Sequence, residues 1–294
     1  METVELLKRK IKTVEDLRSL VKTLKTLAAV NIRQYEGAVY SLIEYNRTVE
    51  LGLQIVLQSS SNIIKSDESR TEAFLGAIVF GSDQGMCGQL NDQIVSHAVT
   101  VMNKMGIRHE RRKILAVGVR ASTRLENSGQ IVDETLGVPG SLSSITLMVQ
   151  DLLSKINDWN QDPGIDRVFL FYNSYHFGKM FYHPYDAQLL PVSSEFLENL
   201  KNRRWPSKVL PTYTMDLDEL FSSLIREYLF VSLYRSIVES MASENAGRLA
   251  SMQRAEKNII EHLEELNLEF HKRRQMEITE ELLDIVSGYE SASS

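Results

Sequence analysis

Apolar residues recur three or four positions apart over long stretches at both ends of the chain. At the N-terminal end Leu7, Ile11, Val14, Leu17, Val21, Leu24, Ala28, Tyr35, Val39, Leu42, Val49, Leu53 and Val56 keep this spacing, with Asn31 and Asn46 as polar interruptions. At the C-terminal end it runs from Leu217, Phe221, Leu224 and Tyr228 through Val238 and Met241 to Leu263, Leu266 and Phe270, with Asn245 and Glu256 on the missing steps. This is the seam of a helix that packs on another helix. It predicts one helix from residue 3 to about 58, ending at the SSSN stretch at 59–62, and a second from Asp216 to Ser287. Asp216 and Asp218 suit the positive dipole end of the second helix, and Gly288 is its expected stop. Such a helix would measure roughly 105 Å at about 1.5 Å per residue, longer than any small domain. Most of it must therefore project or lie against a partner. Two seams at opposite ends of one chain can pair as an antiparallel coiled coil. The plainer alternative is two independent amphipathic helices on a globular core. Gly37 and Gly52 within the first helix are expected to mark close packing.

Between the seams the period changes. AIVF (77–80), KILAVGV (113–119) and DRVFLFYN (166–173) are continuous apolar runs of the kind that form buried strands. Segments 88–105 and 142–159 between them have helical spacing, so the middle reads as an α/β domain with a largely parallel sheet. FYHPYDAQLLPVS (181–193) adds edge strands, where proline is tolerated. Residues 59–72 read as a linker or exposed loop. Proline supports the division, because its six positions all fall between 139 and 211. Helix interiors exclude proline, since it lacks the N–H and clashes with the preceding turn. The expected layout is a helix over 1–58, an α/β domain over 73–210 and a helix over 212–288.

Composition narrows the function. The chain has 294 residues, 43% hydrophobic and 24% charged, an ordinary globular balance. A net charge of -6 argues against a phosphate-backbone binder, so no nucleic-acid partner is expected. The lone cysteine, Cys87, excludes an internal disulfide framework and fits a reducing compartment. No apolar run approaches the ~18 residues of a membrane span, and METVELLKRKIKTVEDL lacks the apolar core of a secretory signal. Any membrane association is then expected through partners.

Three local features could carry chemistry. VFGSDQGMCGQLN (79–91) places a glycine-rich turn between a strand end and a helix start, where backbone N–H groups can meet an anion. An enzyme reading would make it a nucleotide-phosphate loop. Its G-x3-G-x2-G spacing differs from the dinucleotide fingerprint, however, and the chain has no GxxxxGK[ST]. The other reading is a tight turn tied by Ser82 and Asp83, with Cys87 an inert thiol. His176 and His183 flank YHFGKMFYHPY and read as sheet-edge histidines rather than half a metal site. Lys272, Arg273 and Arg274 in HKRRQ (271–275) interrupt an acidic helix, and Lys8, Arg9, Lys10, Lys12, Arg18, Lys22 and Lys25 make the N-terminal helix basic. In an antiparallel coil the two basic stretches would meet as a positive collar suited to an acidic protein partner, because guanidinium forks bind carboxylates in bidentate fashion.

LYRSIVESMASENAGRLASMQRAEKNIIEHLEELNLEFHKRRQMEITEELLDIVSG (233–288), GSDQGMCGQLN (81–91) and RKIKTVEDLRSLVKTLKTLAAVNIRQYE (9–36) together resemble the gamma subunit family of rotary F-type ATP synthases. The resemblance covers nearly the full chain. It implies an α/β fold in which the terminal helices form a long antiparallel coiled coil beside a central α/β (Rossmann-like) domain. The implied function is that of a central rotor shaft, which couples transmembrane ion flow to ATP synthesis or hydrolysis in a ring of alpha and beta subunits. The implied further partners are the epsilon subunit and the membrane ring of c subunits. No catalytic residue, cofactor or metal is implied, because alpha and beta hold the nucleotide. The location is that of a peripheral membrane protein on the cytoplasmic face of a bacterial inner, or thylakoid, membrane. By family position Arg274, Gln275 and Thr279 face the beta or alpha subunits. Glu244 and Arg248 support the coil or the collar, and Lys22 and Lys25 match the basic N-terminal residues. LKTLAAVNI (24–32) stands where the family has MKMVAAAKL, and HKRRQ where it has NRARQ. These changes suggest a divergent branch, an alternative complex that pumps ions by hydrolysis. A nucleotide-binding enzyme using the Gly81–Asn91 turn and a non-rotary coiled-coil scaffold are the alternative readings.

Overall fold

The computed structural model describes residues 3–59, 74–161, 165–176 and 181–292; of the linker expected over 59–72, Ser59 is the last residue of the first helix and the rest lies outside the described residues. The elements are α1 (Val4–Ser59), β1 (Leu75–Phe80), α2 (Leu90–Lys104), β2 (Arg112–Val117), α3 (Val119–Asn127), β3 (Glu134–Leu136), α4 (Leu142–Gln161), β4 (Arg167–His176), β5 (Phe181–Leu190), α5 (Ser194–Asn202) and α6 (Leu217–Ala292). A short 3-10 turn at His109–Arg111 precedes β2. The chain forms two compact units, Val30–Gly247 and the pair Met1–Ala29 with Arg248–Ser294.

In Val30–Gly247 the strands lie in the order β3-β2-β1-β4-β5. The first four are mutually parallel and β5 is antiparallel to β4 at one edge. β1 is buried along its whole length, which explains its uninterrupted apolar sequence. Ala77, Val79 and Phe171 pack on Ile94, Ala98 and Met102, which recur every four residues on one face of α2, and on Ala121 and Leu125 of α3. β5 carries Pro184, a residue that only an edge strand tolerates.

Departures from the expected elements have local causes. The run 113–119 is not all strand: β2 stops at Val117 and Val119 opens α3. Gly118 makes the turn at φ +106°, and a Cβ there would lie 2.8 Å from the backbone of Ser82. α3 has few apolar residues, burying only Ala121, Ser122 and Leu125, and β3 is three largely exposed residues; neither carries a strong periodic signal. α5 is capped by Ser193, whose side chain accepts from the Phe196 N–H, and it buries Leu197 and Leu200.

A second core in this unit joins Val49, Leu53 and Leu57 of α1 to Leu197 and Leu200 of α5, with Phe221, Leu224 and Tyr228 of α6 against them. A Cβ at Gly52 would sit 2.8 Å from the Leu224 side chain, so this glycine does mark a close approach. Gly37 has open space around it, contrary to expectation, and costs helix stability without a packing return. Asn31 donates to Asn245 at 3.2 Å and Tyr45 to Glu227 at 2.6 Å. As the α1 number rises the α6 number falls, which defines antiparallel pairing.

In the other unit Val21 packs with Met252, Ile259 and Leu263, flanked by Ile11, Val14, Leu24 and Ala255. Asn31 and Asn245, bonded to each other, and Glu256, bonded to Lys25, are thus contacts between α1 and α6, which do not stand as independent helices, whereas Asn46 donates to Glu50 of its own helix. Asp216 caps α6 by accepting from the Asp218 N–H at 2.9 Å. Gly288 does not stop α6, which runs on to Ala292. Its backbone lacks the left-handed φ of a glycine stop, and open solvent around it imposes no turn.

Candidate functional site

The Gly81–Asn91 turn sits at the carboxyl end of β1, beside the point where the strand order reverses. Doubly wound sheets bind ligands there. Here the turn is tied to the chain's own groups. Asn91 accepts from the Ser82 N–H at 3.0 Å and donates to Ser82 Oγ at 2.8 Å. Ser82 Oγ donates to the Gln84 carbonyl at 2.8 Å. Asp83 accepts from the N–H groups of Val119 at 3.0 Å and Val138 at 2.8 Å, so it ties down two other segments rather than its own turn. Cys87 is buried, with Sγ 3.5 Å from Ser82 Oγ. The Ser82 N–H and the Asp83 carboxylate are thus taken up by internal bonds.

His176 and His183 stack on each other with ring centroids 4.9 Å apart, at the β4–β5 edge. His97 Nε2 lies 2.7 Å from Asp186 and ties α2 to β5.

The face of α6 that meets β4 is polar and buried. Glu239 is 1% exposed and accepts from Ser174 Oγ at 2.7 Å and from Arg235 Nε at 2.6 Å. Ser243, fully buried, donates to the Asn173 carbonyl at 2.8 Å. Burial beside Glu239 pushes the Tyr172 hydroxyl well above its usual range, so it stays protonated. This polar contact face could not be found from the sequence, because Glu239 and Ser243 fall off the apolar seam, on positions where polar side chains are expected to face solvent. The i, i+4 spacing of Glu239 and Ser243 was the available signal.

The residues singled out by resemblance fall into three environments. Lys25 is hydrogen bonded to Glu256, which holds that carboxyl below the usual carboxylate range, aided by the charges of Lys25, Arg18 and Lys22. Lys25 therefore serves an internal ion pair rather than an open collar, while Lys22 is exposed. Glu244 is buried and Arg248 half-buried. Arg274, Gln275 and Thr279 are exposed, and Thr279 donates back to the Gln275 carbonyl at 2.8 Å. Counting along the antiparallel register from Lys25–Glu256 sets residues 8–12 of α1 level with about 269–273 of α6.

Beyond Phe270 the α6 side chains are almost all exposed, apolar ones included. Ile278, Leu282, Ile285 and Tyr289 follow helical spacing and are 47–76% exposed. Among the described residues no helix is long and apolar enough to cross a membrane.

Paired terminal helices, a doubly wound sheet and an exposed apolar stretch at the end of α6 define a mixed, helix-paired α/β protein. Comparison with known proteins gives the family. The family described as ATP synthase matches residues 3–292. The chain is similar, at 27% identity over the full length of both, to the ATP synthase gamma chain of Buchnera aphidicola subsp. Diuraphis noxia. It is 25% identical to that of Nautilia profundicola over 99% of each chain. Its fold is similar to a chain of the Euglena gracilis mitochondrial ATP synthase OSCP/F1/c-ring structure, with TM-score 0.67 at 17% identity over 98% of this chain and 94% of that one. It is also similar to a chain of the Tetrahymena thermophila central stalk and c-ring, with TM-score 0.55 at 22% identity over 80% of this chain and 99% of the other. The chain belongs to the ATP synthase gamma-chain family.

Proposed function

We infer that the chain is the central rotor shaft of an F-type ATP synthase, coupling ion flow through a membrane sector to ATP synthesis or hydrolysis in an alpha/beta ring by rotation. The observation that carries this reading is the end of α6, where a helically spaced apolar stripe stands uncovered beyond a basic patch. Contiguous exposed apolar surface of this kind marks an interaction site. A hydrophobic shaft end needs a sleeve, and a ring of alpha and beta subunits supplies one. A shaft with different side chains on each face gives each beta subunit a different contact energy, and turning it moves that preference around the ring.

Arg274, Gln275 and Thr279 are the shaft's polar contacts with the ring. Lys22 lies on the same exposed basic stretch. Lys25, Glu244 and Arg248 support the coil. The functional division is a shaft of residues 1–58 and 212–288 around a foot of 73–210. The foot engages the epsilon subunit and the c ring, so the protein is peripheral to the membrane, on the cytoplasmic face in a bacterium. It has no catalytic residues of its own, because alpha and beta hold the nucleotide. The departures in LKTLAAVNI and HKRRQ lie on the shaft and fit a divergent, ion-pumping branch.

The test is reconstitution of the chain with the remaining subunits in vesicles, with ATP hydrolysis and ion pumping measured together. Arg274→Ala with Gln275→Ala is expected to lower the pumping-to-hydrolysis ratio several-fold while sparing assembly. An unchanged ratio removes these residues from the contact. Nucleotide turnover by the isolated chain would instead favour the enzyme reading.

A further inference from the structure

We propose that Gly247 is a positioning residue that keys the α/β domain onto α6, so that torque applied to the domain turns the helix without slip. The proposal rests on the rotor reading above. At Gly247 the backbone of α6 approaches the Gly81–Asn91 turn so closely that a Cβ would lie 2.5 Å from the Cys87 carbonyl oxygen and 3.2 Å from Tyr182 Oη. Glycine alone fits this contact, since the obstacle is backbone and not the end of a flexible side chain.

The contact is one point of a line. Glu239, Ser243 and Gly247 follow each other at four-residue intervals, which puts them on one face of α6. Glu239 holds Ser174 at 2.7 Å and Ser243 holds the Asn173 carbonyl at 2.8 Å, so two directional bonds on β4 lie in line with the steric seat. The other half of the joint is stiff. Cys87 belongs to the turn that Asn91 cross-links to Ser82, with Asp83 tying down two further segments. Rotating α6 by one residue would bring Ala246 against the Cys87 carbonyl, and sliding it by one turn would bring Ser243 there. Either movement sets a Cβ into that 2.5 Å gap and breaks both hydrogen bonds. Smooth apolar packing would resist slip only weakly, whereas a toothed joint has discrete, widely separated registers.

The experiment measures ATP hydrolysis and ion pumping of the reconstituted complex in vesicles carrying wild-type chain, Gly247→Ala, Gly247→Val and Ser243→Ala. Wild-type vesicles that hydrolyse ATP without pumping would overturn the rotor reading itself. If wild type pumps, the pumping-to-hydrolysis ratio is expected to fall several-fold for Gly247→Val and less for Gly247→Ala, with hydrolysis and subunit stoichiometry retained. Ser243→Ala removes one bond without adding bulk and is expected to lower the ratio slightly. Hydrogen exchange guards against misfolding: faster exchange confined to residues 82–91, with β1 and β4 still protected, supports a joint opened locally. A Gly247→Val complex that pumps at the wild-type ratio overturns the proposal. So does a loss of pumping that comes only with unfolding of the whole sheet and leaves Ser243→Ala at the wild-type ratio.

Discussion

One helix is used in opposite ways at two places. Between Ser236 and Gly247, α6 is buried on nearly every side, and its buried set includes Glu239, Ser240, Ser243, Glu244 and Asn245. From His271 to Tyr289 it is exposed on nearly every side, and its exposed set includes Ile278, Leu282, Leu283, Ile285 and Val286. Buried polar residues and exposed apolar ones are each unfavourable for an isolated chain. The first stretch offsets most of its cost within the molecule, by hydrogen bonds to β4 and to α1, although Ser240 Oγ is buried without a partner among the described residues. Among the described residues nothing covers the second. Polarity out of place inside therefore reads as a fixed joint, and polarity out of place outside reads as a surface made for a partner.

The strongest way to break this contrast is to make the exposed stretch polar. Leu282→Asp with Ile285→Asp is expected to leave the thermal midpoint of the isolated chain unchanged. Binding to an alpha/beta ring should weaken by about 100-fold or more, in the range of central interface residues. A large fall in the chain's own stability would mean that this stretch is covered by the protein itself.

The next largest effect lies in the joint. Arg235→Met leaves Glu239 buried with Ser174 as its one remaining assigned donor. Stability should fall by about 1–3 kcal/mol in denaturant unfolding, the cost of stranding part of a buried charged group. A neutral result would mean that the Arg235 contact does not help to hold Glu239 in place.

The smallest effect belongs to the seam of the other unit. Lys25 and its basic neighbours depress the Glu256 carboxyl in the folded state. A depressed carboxylate contributes stability that is present above its unfolded value, near 4.5, and is lost as pH falls through the lower folded value. Lys25→Met should flatten this acid-side loss and change little at neutral pH, because the pair is partly solvated. Melting curves between neutral and acid pH check the sign.

The sequence by itself determined the two long helices and the main strands, and left the antiparallel pairing of the helices as one of two readings. Each rests on a pattern repeated over many residues: three-or-four spacing in α1 and α6, unbroken apolar runs in β1, β2 and β4. Proline at 184 similarly marked β5 as an edge strand. It also marked HKRRQ as a positive patch, since charge needs no fold to be counted. The rest was decided by tertiary contact. α3 and β3 are held by their neighbours and carry little periodicity of their own. Gly37 and Gly52 look alike in sequence, and only Leu224 distinguishes them. Gly288 looks like a stop, but nothing around it turns the chain. The polar face of α6 and the seat at Gly247 exist because β4 and the Gly81–Asn91 turn lie against them. Local pattern fixes which face of an element is apolar; which particular atoms meet across that face depends on chain brought from distant positions in the sequence.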